Sequence, residues 1–332
     1  MSSNANPLVS VIVPAHNAAR TLEACLKGCL QQTYAPIEVI AIDDGSKDDT
    51  ARIAESFPVR FVHQEQRGPA AARNAGARIA QGAFLVYTDS DCVPQMDWVE
   101  RLISGFGEGV AATGGTYGIA NPDSLLARWI HEEILVRHAA LGEEVDFLGS
   151  FNVAYEKNAF DRVAGFDEAF TAASGEDNDL AYRLIDAGGR LRFVHDAVVR
   201  HHHPSRLGAY LRSQMRHGFW RMKLYAKHPQ RASGDRYAGI ADLAAPVLIC
   251  LVIAAFFATL ATALHPAAIL TFAALSALLI AARLQVPWRM MRRAGNPMML
   301  IFLPVMLARD VARAVGMLCG IWVFLVLRKR TA

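Results

Sequence analysis

The sequence predicts an α/β fold followed by an apolar helical tail, on three observations. β-Branched runs alternate with helix-spaced apolar residues through the first hundred positions. Acidic and turn motifs fall where those strands end. Charge and hydropathy then change near residue 240. Positions 1–240 hold 25 Lys/Arg and 29 Asp/Glu, a net of −4, whereas positions 241–332 hold nine Lys/Arg and two acids, Asp242 and Asp310, a net of +7. The 332 residues suffice for one large domain or two medium ones, and 53% apolar with 20% charged residues excludes disorder. The formal net charge of +3 gives no argument for a nucleic-acid partner. An acidic head on a basic, apolar tail suggests a membrane-anchored protein.

Val9–Val13 is a β-branched run closed by Pro14. Leu22, Cys25, Leu26, Cys29 and Leu30 repeat at the spacing of a helix with one apolar face. Cys25 and Cys29 there read as small core residues, not as a disulfide or metal pair. Glu38–Ile42 is a second strand, running into Asp43-Asp44-Gly45-Ser46. Asp48–Glu55 predicts a helix and Arg60–His63 a short strand. Pro69 opens an Ala-rich helix reaching Gln81. Phe84–Thr88 is a fourth strand, running into Asp89-Ser90-Asp91. This βαβαβαβ order predicts a parallel sheet with helices on both faces, and such sheets bind ligands beyond the carboxyl ends of their strands. Further on, Asp97–Phe106, Ser124–Leu141, Glu176–Ala187 and Leu207–Ala226 predict helices, and Val110–Tyr117 and Phe147–Ala154 predict strands.

In the tail, 243–264 is 22 residues without a charge, about 33 Å as a helix and long enough to cross a bilayer. His265-Pro266 breaks it, and 267–284 is a second apolar segment. Arg283, Arg289, Arg292 and Arg293 then mark the cytoplasmic side, so the two segments form an all-α membrane hairpin. The segment 298–327 is interrupted by Arg309, Asp310 and Arg313 and is followed by Arg328-Lys329-Arg330. It is expected to lie in the interface or re-enter, with a third crossing as the alternative. The first ten residues carry no signal-peptide pattern, so the head is expected in the cytoplasm.

Alternate residues of an extended chain point the same way, so Asp89 and Asp91 can hold a hard divalent cation, Mg2+ or Mn2+. Surface turns also read Asp-Ser-Asp, and it is the place at a strand end that gives this one weight. Neither a Walker A sequence nor GxGxxG follows the first strand. Asp43-Asp44 can accept hydrogen bonds from a base or ribose. The stretch Gly68–Asn74 opens a helix with small residues that suit phosphate or base, and Arg73 adds a planar cation. Its plainer reading is a surface ion pair. Glu176 and Asp177 start a helix, where acids also simply complement the dipole. Their side chains diverge by about 100°, so one can be a general base and the other structural. One histidine of His201-His202-His203 can serve as a metal ligand, but three adjacent ones cannot face one ion. Trp220 reads as an aromatic wall near a sugar or as helix packing.

Together these stretches resemble a family 2 glycosyltransferase of the GT-A fold. The matching segments are Val9–Asn17, Ile37–Thr50, Gly68–Gly76, Phe84–Pro94, the GFDE at Gly165–Glu168, and Gly175–Arg183. The resemblance implies a Rossmann-like mixed sheet and a nucleotide-sugar donor, with a UDP-sugar expected. It places Pro14, His16, Asn17, Asp44, Arg73 and Asp89 at that donor and a Mg2+ or Mn2+ ion on Asp89, Asp91 and His201, with His203 as the rival ligand. It makes Asp177 the general base of an inverting transfer, with Glu176 and Trp220 in acceptor or structural support. The expected division is a catalytic domain over 1–228, a linker over 229–242 and a membrane region over 243–332. Processive relatives carry QxxRW, whereas here six positions separate Gln214 from Trp220, so transfer of a single sugar is expected. The expected acceptor is a lipid-linked glycan or glycolipid in cell-envelope or exopolysaccharide synthesis at the plasma membrane. Its rivals are a polyprenyl-phosphate acceptor and an inert membrane scaffold of the same fold.

Overall fold

The computed structural model describes residues 6–231 and 240–327. The expectations placed on residues 1–5, on most of the 229–242 linker and on Arg328-Lys329-Arg330 lie outside those residues. In chain order the first elements are β1 (Val9–Ala15), α1 (Leu22–Leu30), β2 (Ile37–Asp44), α2 (Thr50–Glu55), β3 (Arg60–Gln64), α3 (Pro69–Ile79) and β4 (Phe84–Thr88). Then come β5 (Cys92–Pro94), α4 (Trp98–Ser104), β6 (Val110–Ile119), α5 (Leu125–His138), β7 (Glu144–Val145), β8 (Asn152–Glu156), α6 (Lys157–Arg162), α7 (Glu176–Asp186) and β9 (Arg190–His201). Four long helices follow among the described residues: α8 (Leu207–Lys227), α9 (Ile240–Ala261), α10 (Pro266–Ala294) and α11 (Phe302–Ile321).

The chain packs as two compact units, Met1–Asp123 with Ala140–His203, and Ser124–Ala139 with Pro204–Ala332. This differs from a boundary at residue 228, because α5 and α8 pack with the C-terminal helices. Three glycines explain the α8 packing. A Cβ added to Gly320 of α11 would lie 2.5 Å from the Phe219 carbonyl oxygen, and Gly218 and Gly316 meet the partner helix's backbone as closely. Only glycine permits that approach.

The first unit is one sheet in the order β3-β2-β1-β4-β8-β6-β9-β5, with β7 pairing β9. Strands β1 to β4 are parallel, as the βαβ alternation predicts. The sheet is mixed, not wholly parallel, because β8 runs antiparallel between β4 and β6. Successive residues of β1 feed opposite cores: Ile12 joins Ile40, Leu85, Val153 and Leu180 on one face, and Val11 and Val13 join Val39, Val86, Leu26 and Trp98 on the other. Cys25 and Cys29 are free thiols buried in that second core.

The predicted strand over Phe147–Ala154 begins only at Asn152, since the chain turns at Gly149, whose carbonyl accepts the Asn152 N–H at 3.1 Å. Three strands escape the sequence patterns, among them β7, which is only two residues long. β5 is three residues long, and β9 reads as mixed charged and apolar because only alternate stretches of it are covered.

In the second unit α9 and α10 form an apolar hairpin, with Phe256 and Phe272 centroids 5.8 Å apart. Among the described residues, three segments suffice by length and composition to cross a membrane: Ala244–Ala261, Pro266–Ala294 and Pro297–Leu327.

Candidate active site

The site forms where β1, β2 and β4 end and β5 begins. Antiparallel pairing of β5 with β9 sets Cys92 opposite His201. That register brings His201 Nε2 to 3.4 Å from Asp91 Oδ2, and the His202 N–H donates to the Asp91 carbonyl at 3.0 Å. Asp91, Cys92 and His201 each offer a ligand atom within 4.8 Å of the others. Burial disfavours the Asp91 carboxylate, but the adjacent His201 outweighs it and holds the carboxyl below its ordinary value. Burial likewise opposes charge on His201, and Asp91 overrides it and raises the imidazole. Burial pushes the Cys92 thiol well up, so it stays protonated. His203 is the more buried histidine, its Nδ1 lying 3.0 Å from Nδ1 of His201. Tyr117 stacks on Phe151 at 3.6 Å and lies 5.1 Å from the His201 ring, forming an aromatic backing that the sequence reading does not assign.

Arg73 is not at the surface. It is 2% exposed, and its guanidinium donates to Glu176 Oε1 at 2.8 Å and to Asp89 Oδ1 at 2.9 Å. The Phe166 ring lies 5.5 Å from its Cζ. Burial opposes the Arg73 charge, but Asp89 and Glu176 prevail and raise its pKa. One cation therefore ties the strand-end acid to the start of α7. Glu176 is 2% exposed and also accepts from the Ser174 N–H at 2.6 Å. Burial and then the nearby Asp177 push it up to about 7, against the pull of Arg73. Asp177 is only half-buried and accepts from the Asn178 N–H at 2.9 Å. The adjacent acids are thus divided: Glu176 anchors the interior and Asp177 is the accessible one.

The Asp44 carboxylate is used on the loop that follows β3. It accepts from the Gln64 amide (2.7 Å), the Arg67 N–H (2.8 Å) and the Gly68 N–H (2.8 Å). Gly68 has φ +96°, and a Cβ there would stand 2.7 Å from the Thr171 carbonyl oxygen. His16 is exposed at the end of β1. Its Nδ1–H donates to the Asp44 carbonyl at 2.8 Å, and Nε2 accepts from the Asn17 amide at 2.9 Å, which fixes the tautomer. Asn17, at φ +51°, accepts from the Lys47 N–H at 2.9 Å and so joins two strand-end loops. Pro14 is buried within β1. Trp220 belongs to the second unit, where it lies 5.9 Å from Phe324 and Lys223 Nζ approaches its ring to 5.1 Å.

The family model described as Glycosyl transferase family 2 matches residues 10–165, and that described as N-terminal domain of galactosyltransferase matches 144–205. Glycosyltransferase AglE of Haloferax volcanii is 33% identical over 231 residues, covering 64% of this chain and 72% of its own. Pre-mycofactocin glycosyltransferase of Mycobacterium tuberculosis is 31% identical over 244 residues, covering 68% of this chain; the chain spans only 49% of it. Among solved structures, mannosyltransferase PcManGT from Pyrobaculum calidifontis, in complex with GDP-Man and Mn2+, shares the fold. The TM-score is 0.60 at 22% identity over 96% of this chain and 88% of that one. With its strand-end acids, its mixed sheet and these relatives, the chain belongs to glycosyl transferase family 2 and is a glycosyltransferase of the GT-A fold.

Proposed function

We propose that the protein moves one sugar, with inversion, from a nucleoside-diphosphate sugar to a hydroxyl of a lipid-linked glycan or glycolipid, with UDP as the donor nucleotide. The observation that carries the reading is the joining of Asp91 to His201, and of Asp89 through Arg73 to Glu176, beside an accessible Asp177. The Asp91 carboxylate and the His201 imidazole stand within ligating range of one another, Asp89 lies two residues earlier as a second hard donor, and the neighbouring thiol is held in its non-ligating form. Asp89, Asp91 and His201 would hold Mg2+ or Mn2+. When bound, that ion supplies charge neutralisation for a departing diphosphate.

The chain's own residues do the rest. Asp177 accepts the acceptor hydroxyl's proton as that oxygen attacks the anomeric carbon. Arg73 keeps Asp89 in place and grips Glu176 in the interior, leaving Asp177 as the accessible acid of the pair. Asp44 shapes the Arg67–Gly68 turn against which the nucleotide binds. The apolar hairpin of α9 and α10 supports a plasma-membrane location with the acidic unit in the cytoplasm, and with it an acceptor carried by lipid.

The test is nucleotide release from a panel of UDP- and GDP-sugars by the full chain with membrane lipid extract, with and without Mn2+ or Mg2+. Lipid-dependent release from one donor, abolished by EDTA and by Asp177→Asn, is the expected result. Full activity of Asp177→Asn would instead mean a phosphate acceptor, which needs no base, and would overturn the hydroxyl acceptor.

A further inference from the structure

The second unit carries an inference about how its last apolar segment meets the bilayer, and that inference rests on the membrane placement proposed above. From Pro266 to Arg283, α10 rises about 26 Å, close to the ~30 Å of a hydrocarbon core. Arg283 is therefore near one end of a crossing. There it makes a buried, two-pronged pair with Asp310 of α11, at 2.7 and 2.6 Å. Asp310 thus stands at the boundary that Arg289, Arg292 and Arg293 mark as cytoplasmic. Beyond Arg313 the chain offers 14 uncharged residues before Arg328, about 21 Å as a helix and too few to cross.

The packing agrees. Leu279 of α10 and Ala314 of α11 share one cluster with Ala245 and Ile249 near the start of α9. Thereafter α11 runs with α8. Arg309 meets the Tyr210 hydroxyl (3.4 Å), Arg313 meets Gln214 (2.9 Å) and Phe324 meets Phe219 (4.9 Å). Both sets of numbers rise together, so the two helices are parallel over this length. α8 carries five Lys/Arg and no acid, and Arg212 and Arg216 are exposed. Burial first, and then the field of Arg313, Arg216 and Arg221, pushes His217 down to about 3. Were α11 to cross, it would draw these arginines into hydrocarbon. Meanwhile Val311, Val315 and Leu318 of α11, with Trp322 in the π-helical turn (Trp322–Leu327) that continues it, are between 37% and 57% exposed and form one stripe at i, i+4, i+7 and i+11.

We propose that α8 and α11 form an interfacial pair on the cytoplasmic leaflet, with the α11 stripe in the acyl boundary and the α8 cations on anionic lipid headgroups. Among the described residues the chain crosses twice, at α9 and α10, and α11 remains on the cytoplasmic side. Amphipathic helices of this kind sit about 5–10 Å into the headgroup region, and basic residues there favour anionic lipid.

The experiment uses the full chain. A C-terminal fluorescent reporter that matures only in the cytoplasm gives the side. A nitroxide at Leu318→Cys, with Cys250→Ser and Cys319→Ser, gives depth in nanodiscs of phosphatidylcholine with 0 or 30% phosphatidylglycerol. The expected result is a fluorescent reporter and a shallow label, bound more firmly as phosphatidylglycerol is added, with that response lost in Arg212→Gln/Arg216→Gln. A dark reporter beside an active external one, or a label at the bilayer centre, would overturn the two-crossing pair. A shallow label indifferent to phosphatidylglycerol would overturn the headgroup contact. Sugar transfer measured on the same nanodiscs separates the readings. Transfer with a crossing α11 refutes only this inference; an interfacial α11 with no transfer on any donor refutes only the proposed function.

Discussion

Replacing Arg73 by methionine tests the buried tie across the site most directly. The side chain is 2% exposed and holds two acids, Asp89 at 2.9 Å and Glu176 at 2.8 Å. Methionine fills similar volume and removes only the charge. Glu176, itself 2% exposed, then sits beside Asp177 with no cation. At pH 8, above the Glu176 pKa of about 7, removing one partner of such a buried pair costs about 3–5 kcal/mol, most of it from the charge left behind or the proton it must then take up. Glu176→Gln removes that stranded charge, so the double variant is expected to recover about 1–3 kcal/mol. The assay is urea unfolding of the four proteins in one detergent, followed through the tryptophans. Donor turnover of Arg73→Met is expected to fall with the loss of Asp89 positioning, and Arg73→Lys to restore stability only in part, since one ammonium cannot grip both carboxylates in a planar fork. A loss below about 1 kcal/mol in Arg73→Met, or a coupling energy near zero, would refute the idea that this cation organises the site.

Three other outcomes are expected. Asp91→Asn and His201→Ala should each raise the Mn2+ concentration needed for half-maximal donor turnover, by about 10-fold or more, with unchanged unfolding midpoints; metal titration of activity measures it. Glu176 has a folded pKa of about 7, above its ordinary 4.5. The folded state thus holds a proton that the unfolded chain has released, and stability falls as pH rises through that window, by about 3 kcal/mol from this group. Glu176→Gln should lose that part of the pH dependence, and unfolding from pH 4.5 to 8 checks it. Gly68→Ala, forced to φ +96° and against the Thr171 carbonyl, should lose more than about 1 kcal/mol and raise KM for the donor; unfolding and steady-state kinetics decide it.

Local pattern made the left half of the sheet readable. The strands β1 to β4 and helices α1 to α3 each announce themselves within a dozen residues, by alternation, by 3.6-residue spacing or by a starting proline. The acids at the ends of β2 and β4 are visible for the same reason. The right half was less legible. β5 is too short to show a period, and β9 is covered unevenly, so its polar residues mask it. The turn at Gly149 shortened β8 in a stretch whose composition reads as strand.

For the site, the residue types were legible and their partners were not. The family resemblance pointed to His201, yet it is the β5–β9 register that sets it against Asp91. Nothing local links Arg73 to Glu176, 103 positions apart, and the plain reading left Arg73 on the surface. Nor could spacing say which of Glu176 and Asp177 is buried.

By itself the sequence determined the class of fold, the strand-end placement of its acids and the change of solvent near residue 240. These depend on periodicity and composition, which are properties of neighbouring residues. Only the tertiary structure decided which acid Arg73 neutralises, which histidine meets Asp91, that α5 and α8 pack with the last helices, and that α11 keeps company with a basic helix. Each of those depends on strand register or helix contact between segments far apart in the chain, where burial turns a residue's charge into a constraint on its neighbours.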